Sequence, residues 1–125
     1  MYGIKYTLDK KLLLVKIVFY RKQNGKEPVK QDLLSLPIEE RANAFERLSS
    51  IQKYGLDYSR VTFKPIKGKL WEIKYKYKNQ HRILYCIRNP ETMILLHYIK
   101  KKTQKLEKQD REIAEKRMME VIRND

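Results

Sequence analysis

The stretch KPIKGKLWEIKYKYKNQHRILYCIRNPETMILLHYIKKKTQK, residues 64–105, decides the fold. Within it Leu70–Tyr77 alternates cleanly: Trp71, Ile73, Tyr75 and Tyr77 point one way, and Glu72, Lys74, Lys76 and Lys78 the other. A period of two is the mark of a strand with one dry face and one wet face. Two further segments rich in branched and aromatic residues, Arg82–Ile87 and Thr92–Ile99, read as strands as well. Asn79-Gln80 and Asn89-Pro90 supply turn chemistry between them, so an antiparallel meander is expected. The same 42 residues hold 12 Lys/Arg against two acids, Glu72 and Glu91, and so carry +10 of the chain's net charge of +14. The positive charge therefore belongs to a sheet and not to a tail.

Upstream, Leu12–Tyr20 (LLLVKIVFY) reads as a strand buried on both faces, preceded by a short strand at Ile4–Thr7 that reverses through Asp9-Lys10-Lys11. Gln23-Asn24-Gly25-Lys26 is a turn. Val29–Leu34 is a short helix after Pro28, and a longer one opens at Ser35-Leu36-Pro37 with Glu39 and Glu40 at its positive end. Ile38, Ala42, Phe45, Leu48 and Ile51 form its apolar stripe, and Gly55 ends it. Residues 56–69 read as a loop. Leu106–Ile122 is a helix with Ile113, Ala114, Met118, Val121 and Ile122 on one face, expected to pack on the sheet. The order strand, two helices, three strands, helix predicts an α+β fold: a small, mostly antiparallel sheet with helices on one face and a C-terminal helix.

At 125 residues the chain, 1–125, is expected to form one domain. Its hydrophobic fraction of 42% argues for a packed core. A sequence pI near 9.9 favours polyanionic partners. Cys86 is the only cysteine, so no internal disulfide is possible, and its apolar surroundings make it a small buried hydrophobe. One cysteine and two histidines cannot build a four-ligand zinc site, and no carboxylate cluster marks a magnesium site, so no metal or cofactor is expected. The apolar run Leu12–Val15 is far too short to cross a bilayer. The C-terminal helix mixes acids with bases on its polar face, unlike a binder of anionic lipid. A cytoplasmic protein without membrane contact is expected.

Which face Arg82 joins depends on the turn before it. A two-residue loop sets Arg82 opposite Tyr77 on the aromatic face; a three-residue loop, Lys78-Asn79-Gln80, sets it opposite Lys76 on the polar one. An unpaired arginine buried against Trp71 and Tyr75 would be costly, which selects the longer loop. Arg82, Lys74 and Lys76 then cluster on an open face. His97 and Lys100-Lys101-Lys102 close the last strand, and the loop lysines Lys64, Lys67 and Lys69 bound the same surface. Taken singly these features are ordinary: a histidine in an apolar strand is commonly a core residue, and lysines ending a strand are commonly solvated. Tyr85 and Tyr98 read first as core or rim residues, although an exposed ring could stack on a base.

Converging on one surface, the basic groups suit metal-free RNA cleavage. There the substrate's 2′-hydroxyl attacks the adjacent phosphate, and the protein removes one proton, supplies another and neutralises phosphate charge. A lysine among cations can act as base, a histidine as base or acid, and arginine offers a planar fork to phosphate oxygens.

The segments VFYRKQNGKEPVKQDLLSLPIEER, KPIKGKLWEIK, HRILYCI, ILLHYIKKKTQK and REIAEKRM, in this order, resemble the phage-derived branch of the RelE/HigB toxin superfamily, whose members are toxins of type II toxin–antitoxin modules. The resemblance runs from about Val18 to the last helix, leaving residues 1–11 as an extension without an assigned role. It implies an mRNA endonuclease working on the ribosome, held in check by a cognate antitoxin, commonly a helix-turn-helix protein. By position it implies that Arg82 holds the scissile phosphate and that Lys74 is a base or phosphate ligand. His97 and Lys101 fall where relatives assist proton transfer, and Lys64, Lys67, Lys69, Lys76, Lys100 and Lys102 would line the RNA path. Glu72 stands where better-known RelE toxins carry a second lysine, and a proline usual after the KKTQK-like segment is missing here. Two other activities are compatible with the same fold: a ParE-like inhibitor of DNA gyrase that cleaves nothing, and a non-catalytic protein that binds RNA or antitoxin.

Overall fold

The computed structural model describes residues 15–101 and 106–123. In chain order these form β1 (Lys16–Phe19), α1 (Pro28–Leu34), α2 (Ile38–Tyr54), a single 3₁₀ turn (Gly55–Asp57), β2 (Thr62–Lys67), β3 (Leu70–Tyr77), β4 (Asn79–Arg88), β5 (Thr92–Lys101) and α3 (Lys108–Arg123). The strands make one mixed sheet in the order β1-β5-β4-β3-β2. β1 runs parallel to β5, and every other neighbouring pair is antiparallel.

Because side chains alternate along each strand, the sheet feeds two separate cores. On one face Ile73, Tyr75, Ile83, Tyr85, Met93, Leu95 and Tyr98 pack against Val29, Leu33, Ala44, Leu48 and Ile51 of α1 and α2. On the other, Tyr20, Leu70, Leu84, Cys86, Ile94, Leu96 and Ile99 pack against Ala114, with Met118 and Val121 of α3 closing over them. Cys86 is indeed buried. Tyr85 and Tyr98 are core residues, 1% and 9% exposed. The sheet face expected to lie open is the one α3 covers.

Several local expectations change. β2 falls in the segment read as a loop; Pro65 and the lysines hid it, and an edge strand tolerates both. The β3–β4 turn is tighter than either loop considered. Tyr77 pairs with Asn79, leaving Lys78 alone between them at a left-handed φ of 63°, so Asn79 and Gln80 belong to β4. In α2 the buried residues are Glu40, Ala44, Leu48 and Ile51, while Ile38 is 72% exposed; the buried stripe is rotated because a carboxylate sits within it. Gly55 ends α2 at a φ of 67°, where a side chain would be strained. β1 begins at Lys16 and is only partly buried as an edge strand. The strand and reversal expected at residues 4–11 lie outside the described residues.

Candidate functional site

The register assembles a basic surface on the α3 side of the sheet. Lys74 of β3 stands directly opposite Arg82 of β4, Lys76 opposite Gln80, and Lys64 of β2 opposite Glu72. Arg82 therefore joins the lysine face, as polarity demanded, though through a one-residue turn. On β5, His97 lies opposite Leu84 and Lys101 opposite Gln80, which sets both on the same face by backbone position. A bulge makes this possible. Leu84 pairs with His97, yet Tyr85 pairs with Leu95, so Leu96 is an extra residue that rotates the rest of β5 by one place. Without it His97 would face α1 and α2.

Lys100, by the same alternation, faces the other way. It pairs with His81 across the ladder and its ammonium reaches Glu40 of α2 at 3.0 Å. Expected beside Arg82, Lys100 instead lies behind the sheet. Lys67 ends β2 with its ammonium 3.8 Å from the Glu115 carboxylate on α3, and Lys69 sits exposed in the β2–β3 turn. Lys102 lies outside the described residues, as does the side chain of Lys101.

The centre of the surface is not open to water. Arg82 and Glu72 are 3% and 2% exposed, and Nη1 of the guanidinium lies 3.5 Å from Oε2 of the carboxylate. Glu72 Oε2 and Arg82 Nε find no hydrogen-bonding partner among the described residues. A buried ion pair with loose geometry recovers little of its desolvation cost, so this pair is weak cement for the fold. His97 is better satisfied. Its Nε2–H donates to Asp110 Oδ1 at 2.9 Å, which leaves Nδ1 as the unprotonated nitrogen of the neutral ring. Asp110 sits in the first turn of α3, and Arg117 on the same helix donates to the carbonyl of the bulged Leu96 at 2.8 Å. The last helix thus orients the imidazole and packs on the sheet face that carries the arginine. Among the described residues no group of three or more His, Cys, Asp and Glu side chains is placed to hold a metal, and no helix is long and apolar enough to cross a membrane.

Behind the sheet lies a second polar network that sequence reasoning passed over. His81, 1% exposed, stacks on Tyr75 with ring centroids 4.8 Å apart. Its Nε2–H donates to the Tyr77 carbonyl at 3.1 Å, and its Nδ1 accepts from the Tyr98 hydroxyl at 2.7 Å. Lys100, hydrogen-bonded to Glu40, holds that carboxyl below its usual range, and burial pushes the His81 pKa down from 6.5. The only signal in the sequence was parity: His81 is two residues before Ile83 and four before Tyr85, on the apolar side of its strand.

A pH prediction follows from His81. Its folded pKa lies below its unfolded one, so the unfolded chain binds the proton more readily, and the neutral ring's stabilisation is complete only above the ordinary imidazole value. Stability is therefore expected to fall as pH drops through about 6.5 and below, and chemical denaturation at pH 7.5 and 5.5 measures it. In His81→Gln that slope is expected to shrink; an unchanged slope would place the titrating group elsewhere.

A family model described as "Phage derived protein Gp49-like (DUF891)" matches residues 31–119, well over half of the chain and all of the sheet from β2 to β5. No curated protein matches the chain.

Proposed function

The chain belongs to the phage-derived Gp49-like family, a toxin–antitoxin-type toxin family, and from that premise we propose that it is the toxin of such a module, cleaving mRNA without a metal. The observation that carries the chemistry is the shared face: Lys74 abreast of Arg82, with His97 one strand away and its ring fixed by Asp110. A carboxylate on one imidazole nitrogen fixes tautomer and orientation, which readies the other nitrogen for proton transfer. In the proposed reaction His97 Nδ1 takes the proton of the 2′-hydroxyl as that oxygen bonds to phosphorus, and returns a proton to the 5′-oxygen as the P–O5′ bond breaks, leaving a 2′,3′-cyclic phosphate and a 5′-hydroxyl. The Arg82 guanidinium trades Glu72 for the scissile phosphate, whose negative charge replaces that of the carboxylate. Lys74, together with Lys76, Lys64 and Lys101, neutralises the flanking backbone.

The trade is needed because Arg82 is buried and already paired. That the fold retains a poorly satisfied buried pair is itself an argument for a use beyond stability. Placement in the RelE/HigB superfamily, dependence on the ribosome and control by a helix-turn-helix antitoxin are parts of the same proposal.

The burial of Arg82 also favours a second reading, in which the pair is structural and the protein binds its target without cutting it. Primer extension on mRNA from cells expressing the chain separates the two. Discrete cuts that vanish when translation initiation is blocked are expected. Intact messages during growth arrest would favour the binding protein, and a change in DNA supercoiling instead would point to gyrase.

A further inference from the structure

A groove of about 1000 Å³ runs between β1, the segment that follows it and the C-terminal half of α3. It is distinct from the basic surface described above. The Ile94 wall of the groove and the Ile99 partner of Arg82 are five residues apart on β5, roughly 16 Å along an extended chain. Val18, Ile113 and Val121, each half-buried, give it an aliphatic floor over Ile94, which is itself buried in the core beneath. Lys22, Arg88, Lys116 and Arg123 give it a cationic rim, with Lys22, Lys116 and Arg123 exposed. Among the described lining residues the one acid, Glu120, is engaged internally, accepting a hydrogen bond from the Tyr20 hydroxyl at 2.6 Å.

We propose that this groove docks a polypeptide segment of a partner protein, an amphipathic helix with aliphatic residues along one side and carboxylates flanking them. Complementarity of charge selects the occupant. A second copy of the chain, at net charge +14, would be repelled. The chain's own residues 1–14 carry three lysines against one aspartate, the same sign as the rim. Single-stranded nucleic acid is held by open ring faces on which its bases stack, and neither ring among the described lining residues, Phe19 or Tyr20, is turned to that use. Tyr20 is 6% exposed with the Arg117 guanidinium 5.3 Å over its ring, and Phe19 packs into the core on the opposite face. An aliphatic floor between two basic banks is instead the arrangement that seats the apolar side of a helix and pairs with its acidic flanks. The proposal does not depend on the nuclease reading, and its test uses no cleavage.

The experiment selects binders from a displayed library of random peptides of about 16 residues, enough for roughly four helical turns. Selection runs in parallel on the full chain and on its Lys116→Glu/Arg123→Glu variant, both checked for folding by circular dichroism. Selected sequences are expected to alternate Leu or Ile with Asp or Glu at helical spacing. They should bind the variant about tenfold or more weakly, and an Ile113→Asp variant as weakly. Enrichment of basic or uncharged sequences, binding indifferent to both variants, or enrichment no greater on the wild type than on the charge-reversed protein would each overturn the proposal. So would a single-stranded RNA oligonucleotide whose affinity is lost on charge reversal while the peptides' is kept.

Discussion

Replacing Glu72 with alanine is expected to remove about 3–5 kcal/mol of folding stability, because the substitution strands the Arg82 guanidinium uncompensated in a buried site. For a domain whose total stability is of order 5–15 kcal/mol, that is a large share. Arg82→Ala strands the carboxylate and is expected to cost a similar amount. Removing both partners together behaves differently. Glu72→Leu/Arg82→Met replaces the pair with apolar groups of comparable volume, among neighbours Leu70, Leu84 and Ile99 that already pack on this side. The double variant is expected to match the wild type or exceed it by about 1–4 kcal/mol. Urea denaturation of the wild type, the two single variants and the double variant ranks the four directly. A Glu72→Ala variant within about 1 kcal/mol of wild type, close to the ordinary scatter of surface substitutions, would mean that the pair is not sealed from water.

The same pair determines how activity must be tested. Loss of growth arrest in Arg82→Ala alone proves little, since the variant is expected to be crippled in folding. In the stable double variant, mRNA cleavage is expected to fall by about 10²–10³-fold, the usual effect of removing one group that stabilises developing phosphate charge. His97→Gln, which keeps a donor near Asp110 but cannot carry a proton, is expected to lose about 10²–10⁴-fold with little change in stability. Cleavage rates on a defined message, with folding verified for each variant, report both. Wild-type cutting by the double variant would remove Arg82 from the mechanism while leaving His97 to be judged separately.

Much of the architecture was legible in the sequence. The alternation of Leu70–Tyr77 marked β3 to the residue, and Gly55 marked the end of α2. β2 was hidden because an edge strand needs neither a continuous apolar face nor every backbone donor, so Pro65 and three lysines could occupy it or its border. The stripe of α2 held at Leu48 and Ile51 but failed at Ile38, because hydropathy cannot foresee that Glu40 would be drawn inward by Lys100 and Asn79, which come from strands far along the chain.

By itself the sequence determined which groups this protein could bring to bear: a cationic sheet, an arginine, a histidine, and elements in an order that only an α+β layer accommodates. Only the tertiary structure decided which of them meet. One residue at Lys78 and one extra residue at Leu96 set the faces of Arg82 and His97, and moved Lys100 to the far side. Strand side chains alternate with period two, so a single-residue change in a turn or bulge inverts every position past it. Such a change is settled by how the whole sheet packs between its helices, and no local stretch of residues encodes it.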